Sequence, residues 1–286
     1  MLLTAPAKIN LSLSVLGKRP DGFHAIESHF VAITLADTLT LEPASDSGIA
    51  FTCSDATLPC DDSNLVVRAA RRFFETAHLP PAVRIHLEKA IPHGAGLGGG
   101  SSDAAATLRG LNQLHGTPLA PETLHTLAAE LGSDVPFFLA GGSAICKGRG
   151  EIIEPHPFPT PLPLLLVKPP FGVPTPWAYK QWRDSRELPG ISYAPQPFPW
   201  GRLVNDLERP VFEKYLFLAV LKRWLLQQPE AAGALMSGSG STCFAVLRAE
   251  TDGPALEARA REAFGDVWTW LGWTIEKGRR ISPAAL

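Results

Sequence analysis

The sequence predicts an α+β protein of two lobes, and three observations support this prediction. Segments with the two-residue period of strands and segments with helical period are mixed without a regular strand–helix–strand alternation. A proline-rich segment at residues 154–163 separates two halves. The 286 residues, 45% of them apolar, suffice for one large or two ordinary domains with a substantial core. We expect an N-terminal lobe over residues 1–155 and a C-terminal lobe over residues 156–286.

The N-terminal half begins with a strand. Residues 7–16, AKINLSLSVL, alternate apolar and polar side chains, so Lys8 and Asn10 point together to the side away from the core. A turn at residues 19–22, RPDG, and one or two further strands follow. Another alternating segment at residues 83–87 predicts a strand that leads into a glycine-rich loop.

Helical periodicity predicts three helices in this half. The first has Ser63 at its N-cap, and the others span residues 101–116 and 121–132. Because a short connection joins the last two, they should pack antiparallel as a helical hairpin. This hairpin returns the chain, at Asp134, towards the glycine-rich loop.

The C-terminal half contains further strand and helix patterns in mixed order. They predict a buried strand in LPLLLV, a helix in PTPWAYKQW, a proline-rich connection, a long helix at about residues 211–226, a turn and strand in SGSGSTCFAVL, a helix after Pro254 and a closing strand in VWTWLGWTI.

Composition argues against several classes of function. The net charge is −2 and the basic residues are scattered, which argues against a general nucleic-acid or membrane-surface binder. The four cysteines form no Cys-x-x-Cys pair, and no apolar run approaches the ~18 residues of a membrane span. We expect a cytoplasmic protein with reduced thiols, either a monomer or a weak homodimer.

The glycine-rich loop is the strongest signal of a binding site. Glycine fills five of the seven positions from Gly94 to Gly100, and such a connection from strand to helix directs several backbone N–H groups at one anion. A P-loop is excluded, because Ser101-Ser102 stands where Lys-Ser/Thr is required. The dinucleotide pattern fits by spacing, but a helix follows where a second strand is needed. Without a ligand, the glycines would only let a helix pack close to a sheet.

Three motifs stand in an order that resembles the GHMP kinases along nearly the whole chain. They are PAKINLSLSVLGKRPDGFH near the N-terminus, PHGAGLGGGSSDAA in the loop and LMSGSGSTCFAV near the C-terminus. Together with LGSDVPFFLAGG, they resemble one branch of that family, whose substrate carries a cytidine diphosphate group. The resemblance implies ATP-dependent phosphorylation of an alcohol with Mg²⁺. It also implies an N-terminal lobe like ribosomal protein S5 and a ferredoxin-like C-terminal lobe.

The resemblance assigns roles to particular residues. Asp134 would orient or deprotonate the accepting hydroxyl, with Lys8 as its cationic partner; by itself, Asp134 could also be only a helix cap. Ser101 or Ser102 would lie near Mg²⁺, and Asp103 would either serve as a metal ligand or simply favour the helix start. ATP would contact Pro92, His93, Gly94, Ala95, Gly96, Leu97, Gly98, Gly99, Gly100, Ser101 and Ser102.

The substrate end would be formed by aromatic residues. Phe23 would stack on the cytosine, although the family commonly has Tyr there, and His24 would contact the edge of the base. Tyr179 is a second stacking candidate or merely fills an apolar crevice. Asn10 would help to position the substrate. The loop at residues 238–241 would shape the pocket, or it is a plain turn before a strand.

Two rival functions remain open at this point. Another kinase of the family could act on a small alcohol such as homoserine or a mevalonate derivative. The aromatic residues favour a pyrimidine over these aliphatic acids. A ligand sensor without catalysis could also use the fold, but such a protein would not need both Lys8 and Asp134.

Overall fold

The computed structural model describes residues 1–158 and 161–275, and within this part it has the predicted α+β fold with two sheets. Among these residues, no helix combines the length and apolar character that crossing a membrane requires. The first part of the chain forms β1 Leu2–Lys18, β2 His24–Pro43, β3 Gly48–Cys53, α1 Leu65–Ala77, β4 Ala82–Glu88, α2 Gly99–Leu114, α3 Pro121–Leu131, α4 Val135–Ala140, β5 Ser143–Gly148 and β6 Ile152–Pro155.

The second part of the chain continues the alternation of strands and helices. It forms β7 Pro163–Lys168, α5 Thr175–Gln181, β8 Gln196–Phe198, β9 Gly201–Asn205, α6 Glu208–Lys214, α7 Leu216–Leu226, β10 Ala231–Met236, β11 Cys243–Leu247, α8 Gly253–Phe264 and β12 Trp268–Trp273.

The larger sheet has the strand order β3-β4-β2-β1-β9-β8, with β5 also paired to β2 and β6 to β5. The long strand β2 pairs with β5 through its first half and with β4 through its second half. Strand β9 lies parallel to β1, with Ser12 opposite Val204, so a strand from beyond residue 155 joins this sheet. The smaller sheet, β10-β11-β7-β12, comes entirely from the C-terminal part.

Strand β7 shows how the two sheets are held together. Leu164 and Leu166 point into the cluster that contains Ile9 and other residues of β1, between the two sheets. Leu165 and Val167 point into the cluster formed with the C-terminal helices. Both faces of β7 are therefore buried, which explains why its sequence is continuously apolar instead of alternating.

Two helix predictions differ from the structure. Asn64, not Ser63, caps α1, because its side chain accepts a hydrogen bond of 2.9 Å from Val66 N. The long helix predicted at residues 211–226 is two helices, α6 and α7, which meet at Tyr215. The backbone there leaves the helical region (φ −110°, ψ 70°), and the Tyr215 ring stacks on Phe171 at 5.5 Å.

His29 on β2 makes the stability of the fold sensitive to acid. The side chain is buried with Nε2 2.8 Å from Ser143 Oγ, and burial, assisted by the neighbouring His156, lowers the pKa of His29 to about 4. In the unfolded chain His29 takes up its proton near pH 6.5, so acidification from there to about pH 4 protonates the unfolded state first. We expect His29 to lower the free energy of unfolding by about 3 kcal/mol over this range.

Urea denaturation of the wild type and of His29→Gln at pH 7, 5.5 and 4 measures this effect. As the pH falls from 7 to 4, the free energy of unfolding of the wild type should decrease relative to that of the variant. This holds whatever the stability of the variant at pH 7. A difference that is constant from pH 7 to pH 4 would contradict the expectation.

Candidate active site

A cleft of about 570 Å³ collects the predicted site residues from both sides of residue 155. The glycine-rich loop, the middle of β1, the turn before α4 and helix α5 all border it. Its lining includes Lys8, Asn10, Phe23, His24, Pro92, His93, Gly94, Ala95, Gly96, Leu97, Gly98, Gly99, Gly100, Ser101, Asp134 and Tyr179. Ser102 lies outside this lining: it is buried, and its Oγ has no hydrogen-bond partner among the described residues.

Lys8 and Asp134 are brought together, as the resemblance to the GHMP kinases implied, and Asp134 borders the same cleft as the glycine-rich loop, as the helical hairpin predicts. Lys8 Nζ lies 3.6 Å from Asp134 Oδ2 and 4.6 Å from the centre of the Phe30 ring. The sequence placed Lys8 on the side away from the core, yet only 3% of the residue is exposed. The glycine-rich loop covers this side of β1, because Lys8 N donates to Leu97 O and the Lys8 stem lies against Gly98.

Asp134 occupies the N-cap position of α4, but its side chain makes no capping hydrogen bond. About a third of the side chain (31%) is exposed, and its carboxylate lies at the cleft beside the ammonium of Lys8. The role of a simple helix cap is therefore excluded by the geometry. The carboxylate is available to a bound molecule.

The orientation of Asn10 is fixed by a residue that the sequence did not reveal. Lys8 Nζ donates to Asn10 Oδ1 at 2.7 Å, and Asn10 Nδ2 donates to Ser28 Oγ at 2.9 Å. Ser28 in turn donates to the carbonyl of Ser12. Because the hydroxyl of Ser28 accepts from the amide nitrogen, the amide oxygen of Asn10 must face Lys8. Ser28 lies on β2, and only the pairing of β1 with β2 brings it to this position.

The glycine-rich loop needs several of its glycines for packing alone. Gly94, Gly96 and Gly98 have positive φ, and a methyl group on Gly96 would lie 2.2 Å from Ser237 O. The loop before β11 packs directly on this segment, where Ser237 Oγ donates to Gly96 O at 3.0 Å. The loop before β11 therefore shapes the wall of the cleft. Gly100 differs, because the nearest atom to an added methyl group would be 3.6 Å away.

Gly96→Ala should therefore destabilise the fold, whereas Gly100→Ala should not. The alanine at position 96 combines a backbone clash with strained φ, and we expect a loss of at least about 3 kcal/mol. At position 100, inside α2, alanine should change stability by less than about 1 kcal/mol and in the stabilising direction. Urea denaturation of both variants measures the contrast. Equal stabilities would contradict the packing role assigned to Gly96.

Phe23, His24 and Tyr179 form the aromatic end of the cleft. Their rings are arranged differently from the two rings expected to stack on a cytosine. Tyr179 stacks on His24 with ring centres 5.5 Å apart, while half-exposed Phe23 lies under the guanidinium of Arg149 at 4.8 Å. Burial lowers the pKa of His24, with Lys18 acting in the same direction, so its ring is neutral at physiological pH. Burial and the charge of Asp134 raise the pKa of the Tyr179 hydroxyl, which keeps its proton.

The structure adds a buried ion cluster that the sequence did not predict. Lys89 Nζ contacts Asp103 Oδ2 at 3.0 Å and also pairs with Asp37, which accepts hydrogen bonds from the backbone of Ala90 and Ile91. Burial raises the pKa of Asp103, against the effect of Lys89. Asp103 thus helps to fix the chain entering the glycine-rich loop. Among the described residues, no group of three His, Cys, Asp or Glu side chains could hold a metal.

The part of the cleft next to Gly100 is also lined by residues outside the predicted site. Leu58, Pro59 and Leu65 supply apolar surface there, and Ser63 and Asn64 supply polar groups. They belong to the connection before α1 and to its first turn. Periodicity revealed the helix but gave no reason to associate its start with the cleft.

Comparisons with known proteins agree with this geometry. The GHMP kinases N terminal domain matches residues 64–142, and the GHMP kinases C terminal domain matches residues 199–266. The chain is 46% identical over 248 residues to the 4-diphosphocytidyl-2-C-methyl-D-erythritol kinase of Methylacidiphilum infernorum (isolate V4), covering 86% of both chains. It is 40% identical over 306 residues to the kinase of the same name from Synechococcus sp. (strain JA-2-3B'a(2-13)), covering 98% of this chain and 96% of that one.

Solved structures give the same result. A crystal structure of 4-(cytidine 5'-diphospho)-2C-methyl-D-erythritol kinase matches with a TM-score of 0.76 and 38% identity, covering 96% of this chain and 99% of that one. A homoserine kinase from Cytophaga hutchinsonii matches with a TM-score of 0.66 and 21% identity, covering 96% and 94%, and thus shares the fold. The chain belongs to the GHMP kinases and, within them, to the family of the 4-diphosphocytidyl-2-C-methyl-D-erythritol kinases.

Proposed function

We propose that the protein transfers the γ-phosphoryl group of ATP to the 2-hydroxyl of 4-diphosphocytidyl-2-C-methyl-D-erythritol. One observation carries this proposal. The Lys8–Asp134 pair lies in the same cleft as the glycine-rich loop and the aromatic residues His24 and Tyr179. An anion site and a site for a flat base thus flank a carboxylate that can accept a proton. The names of the relatives support the identity of the acceptor.

ATP would lie along the glycine-rich loop. The loop leads directly into the N-terminus of α2, where free backbone N–H groups and the helix dipole favour phosphate. The apolar surface of Leu58, Pro59 and Leu65 in the part of the cleft next to Gly100 fits an adenine base. The acceptor would occupy the aromatic end, beside His24 and Tyr179.

The residues present fit a magnesium ion bound mainly through nucleotide. Mg²⁺ prefers oxygen ligands and usually keeps several waters, so it needs few protein ligands. Ser101 lines the cleft at the helix start, and the unpartnered Ser102 Oγ is adjacent in sequence. We assign the ion to the Ser101 hydroxyl together with phosphate oxygens, because Ser101 is the one of the two that lines the cleft. When bound, the ion neutralises charge on the transferring phosphoryl group.

Asp134 and Lys8 would carry the chemical step. Asp134 accepts the proton of the 2-hydroxyl as the oxygen attacks the γ-phosphorus, or holds that hydroxyl in line. The ammonium of Lys8, 3.6 Å from Oδ2, fixes the carboxylate and opposes the negative charge on the transferring group. Asn10 and Ser28 hold the ammonium in this position.

An ATP-consumption assay with three alcohols tests the proposal. Turnover should be observed with 4-diphosphocytidyl-2-C-methyl-D-erythritol and not with homoserine or mevalonate. Comparable kcat/KM values for homoserine or mevalonate would overturn the assignment of the acceptor. Binding of the cytidine compound without turnover, measured by calorimetry, would instead indicate a ligand sensor.

A further inference from the structure

Arg149 borders the cleft but has no role in the chemistry described above. It lies in the turn between β5 and β6, and its guanidinium is 4.8 Å from the centre of the Phe23 ring. This stacking is a favourable cation–π contact that holds the guanidinium at the wall of the cleft.

The two lysine side chains that line the cleft already pair with other groups of the protein. Lys8 donates to Asn10 and lies beside Asp134, and Lys89 pairs with two buried carboxylates. Arg149 differs, because within residues 1–158 and 161–275 its side chain donates no hydrogen bond. Its nearest carboxylate, Glu151, lies 3.8 Å from Nε and accepts instead from the backbone N–H of Arg149. The five N–H donors of this guanidinium are therefore available to a ligand.

Arg149 lies between the residues proposed to face the two ends of the substrate. Its neighbour Gly150 lies against the catalytic pair, since a methyl group on Gly150 would be 3.7 Å from Asp134 Oδ1. In the other direction, Arg149 reaches Phe23, which precedes His24 in the turn that borders the aromatic end. Arg149 therefore lies between the carboxylate that faces the accepting hydroxyl and the residues that face the base.

A cytidine diphosphate alcohol has its two phosphates in this same intermediate position. With the alcohol at Asp134 and the cytosine near His24, the diphosphate would pass beside Arg149. Guanidinium groups match phosphate oxygens with two parallel hydrogen bonds, which adds geometric specificity to the charge attraction. Homoserine and mevalonate carry no diphosphate and would gain nothing from this residue.

We infer that Arg149 binds the diphosphate of the acceptor and thereby selects cytidine diphosphate alcohols over small aliphatic alcohols. This inference rests on the proposed function. Removal of the guanidinium should weaken the binding of cytidine diphosphate by about 10- to 100-fold, in keeping with the loss of charge-assisted hydrogen bonds. Binding of cytidine, which lacks phosphate, should change less than about twofold.

Calorimetric titration of Arg149→Gln with cytidine, cytidine monophosphate and cytidine diphosphate tests this inference, with the nucleotide loop occupied by a non-hydrolysable ATP analogue. Lys147→Gln is the matched control. It removes one positive charge from β5, two residues away, where Lys147 is exposed and pairs with Glu154. Only Arg149→Gln should reduce the preference for the diphosphate over cytidine. Arg149→Lys, which keeps the charge but loses the planar fork, should restore part of this preference.

Three results would overturn the inference. Equal affinities of the wild type and Arg149→Gln for cytidine diphosphate would show that the guanidinium does not bind it. Equal losses for cytidine and its diphosphate would show that Arg149 acts only through the Phe23 ring. Failure of all three cytidine ligands to bind the wild type would overturn the proposed function as well, which separates the two failures.

Discussion

Asp134→Asn is expected to lower kcat by about 10²- to 10⁴-fold, the range attributed to a positioned acid–base group. The substitution keeps the size and shape of the side chain but removes its ability to accept the hydroxyl proton. KM for ATP should be almost unchanged, because the glycine-rich loop and the apolar surface proposed to hold adenine are untouched. Steady-state kinetics at saturating ATP and acceptor measure both quantities.

The structure also predicts that this variant folds normally. Asp134 makes no capping hydrogen bond and is partly exposed, and the buried ammonium of Lys8 keeps its hydrogen bond to Asn10, so the loss of the carboxylate charge should cost no more than about 2 kcal/mol. Asp62→Asn, an exposed carboxylate outside the cleft that pairs with Arg71, serves as the control with unchanged kcat. Turnover of Asp134→Asn close to that of the wild type would contradict the assignment of Asp134 as the base.

The return of Asp134 towards the glycine-rich loop was predictable from local patterns, whereas its pairing with Lys8 was implied by the resemblance to the GHMP kinases. Alternation along residues 7–16 put Lys8 on one side of a strand. The two helices before Asp134 then had to return the chain towards the glycine-rich loop. Both patterns are set by backbone periods of 2.0 and 3.6 residues, which a sequence displays directly.

The partners of these residues were not predictable in the same way. Ser28 reaches Asn10 only through the register of β1 on β2, which shifts between Asn10 and Ser12 at an irregularity of the strand pair. Lys89 meets Asp103 and Asp37 only because three separate segments converge. Register shifts and convergence of this kind depend on tertiary packing and leave no periodic signal in one chain.

The glycine-rich loop shows a further limit of the sequence. The run of glycines favoured a bound ligand over close packing as its cause, yet Gly96 meets a loop 141 positions further along the chain. Gly98 meets the Phe138 ring. Close packing and ligand approach make the same demand on the sequence, and only coordinates separate them.

Larger-scale features were predicted to differing degrees. The α+β class follows from the mixture of periods and is confirmed. The boundary at residue 155 stays a prediction, and β9 joins the larger sheet from beyond it. The location in the cytoplasm and the monomeric or weakly dimeric state also stay predictions.

Lys8→Met should have the second largest effect, with a loss of about 10²- to 10³-fold in kcat. Methionine preserves a long apolar stem between Phe30 and Gly98 and removes only the ammonium. Asn10 loses the donor to its Oδ1, so a cost of up to about 2 kcal/mol in stability is expected. Steady-state kinetics together with urea denaturation separate the loss of turnover from any loss of folded protein.

The double variant Lys8→Met, Asp134→Asn shows whether the two side chains act as one unit. If the ammonium works mainly by holding the carboxylate, its removal costs little once the carboxylate is gone. The double variant should then be about as slow as the slower single variant, because residues that act together are not additive. Losses that multiply would contradict this dependence. They would place the action of Lys8 on the transferring phosphoryl group itself, where an ammonium contributes whether or not Asp134 is charged.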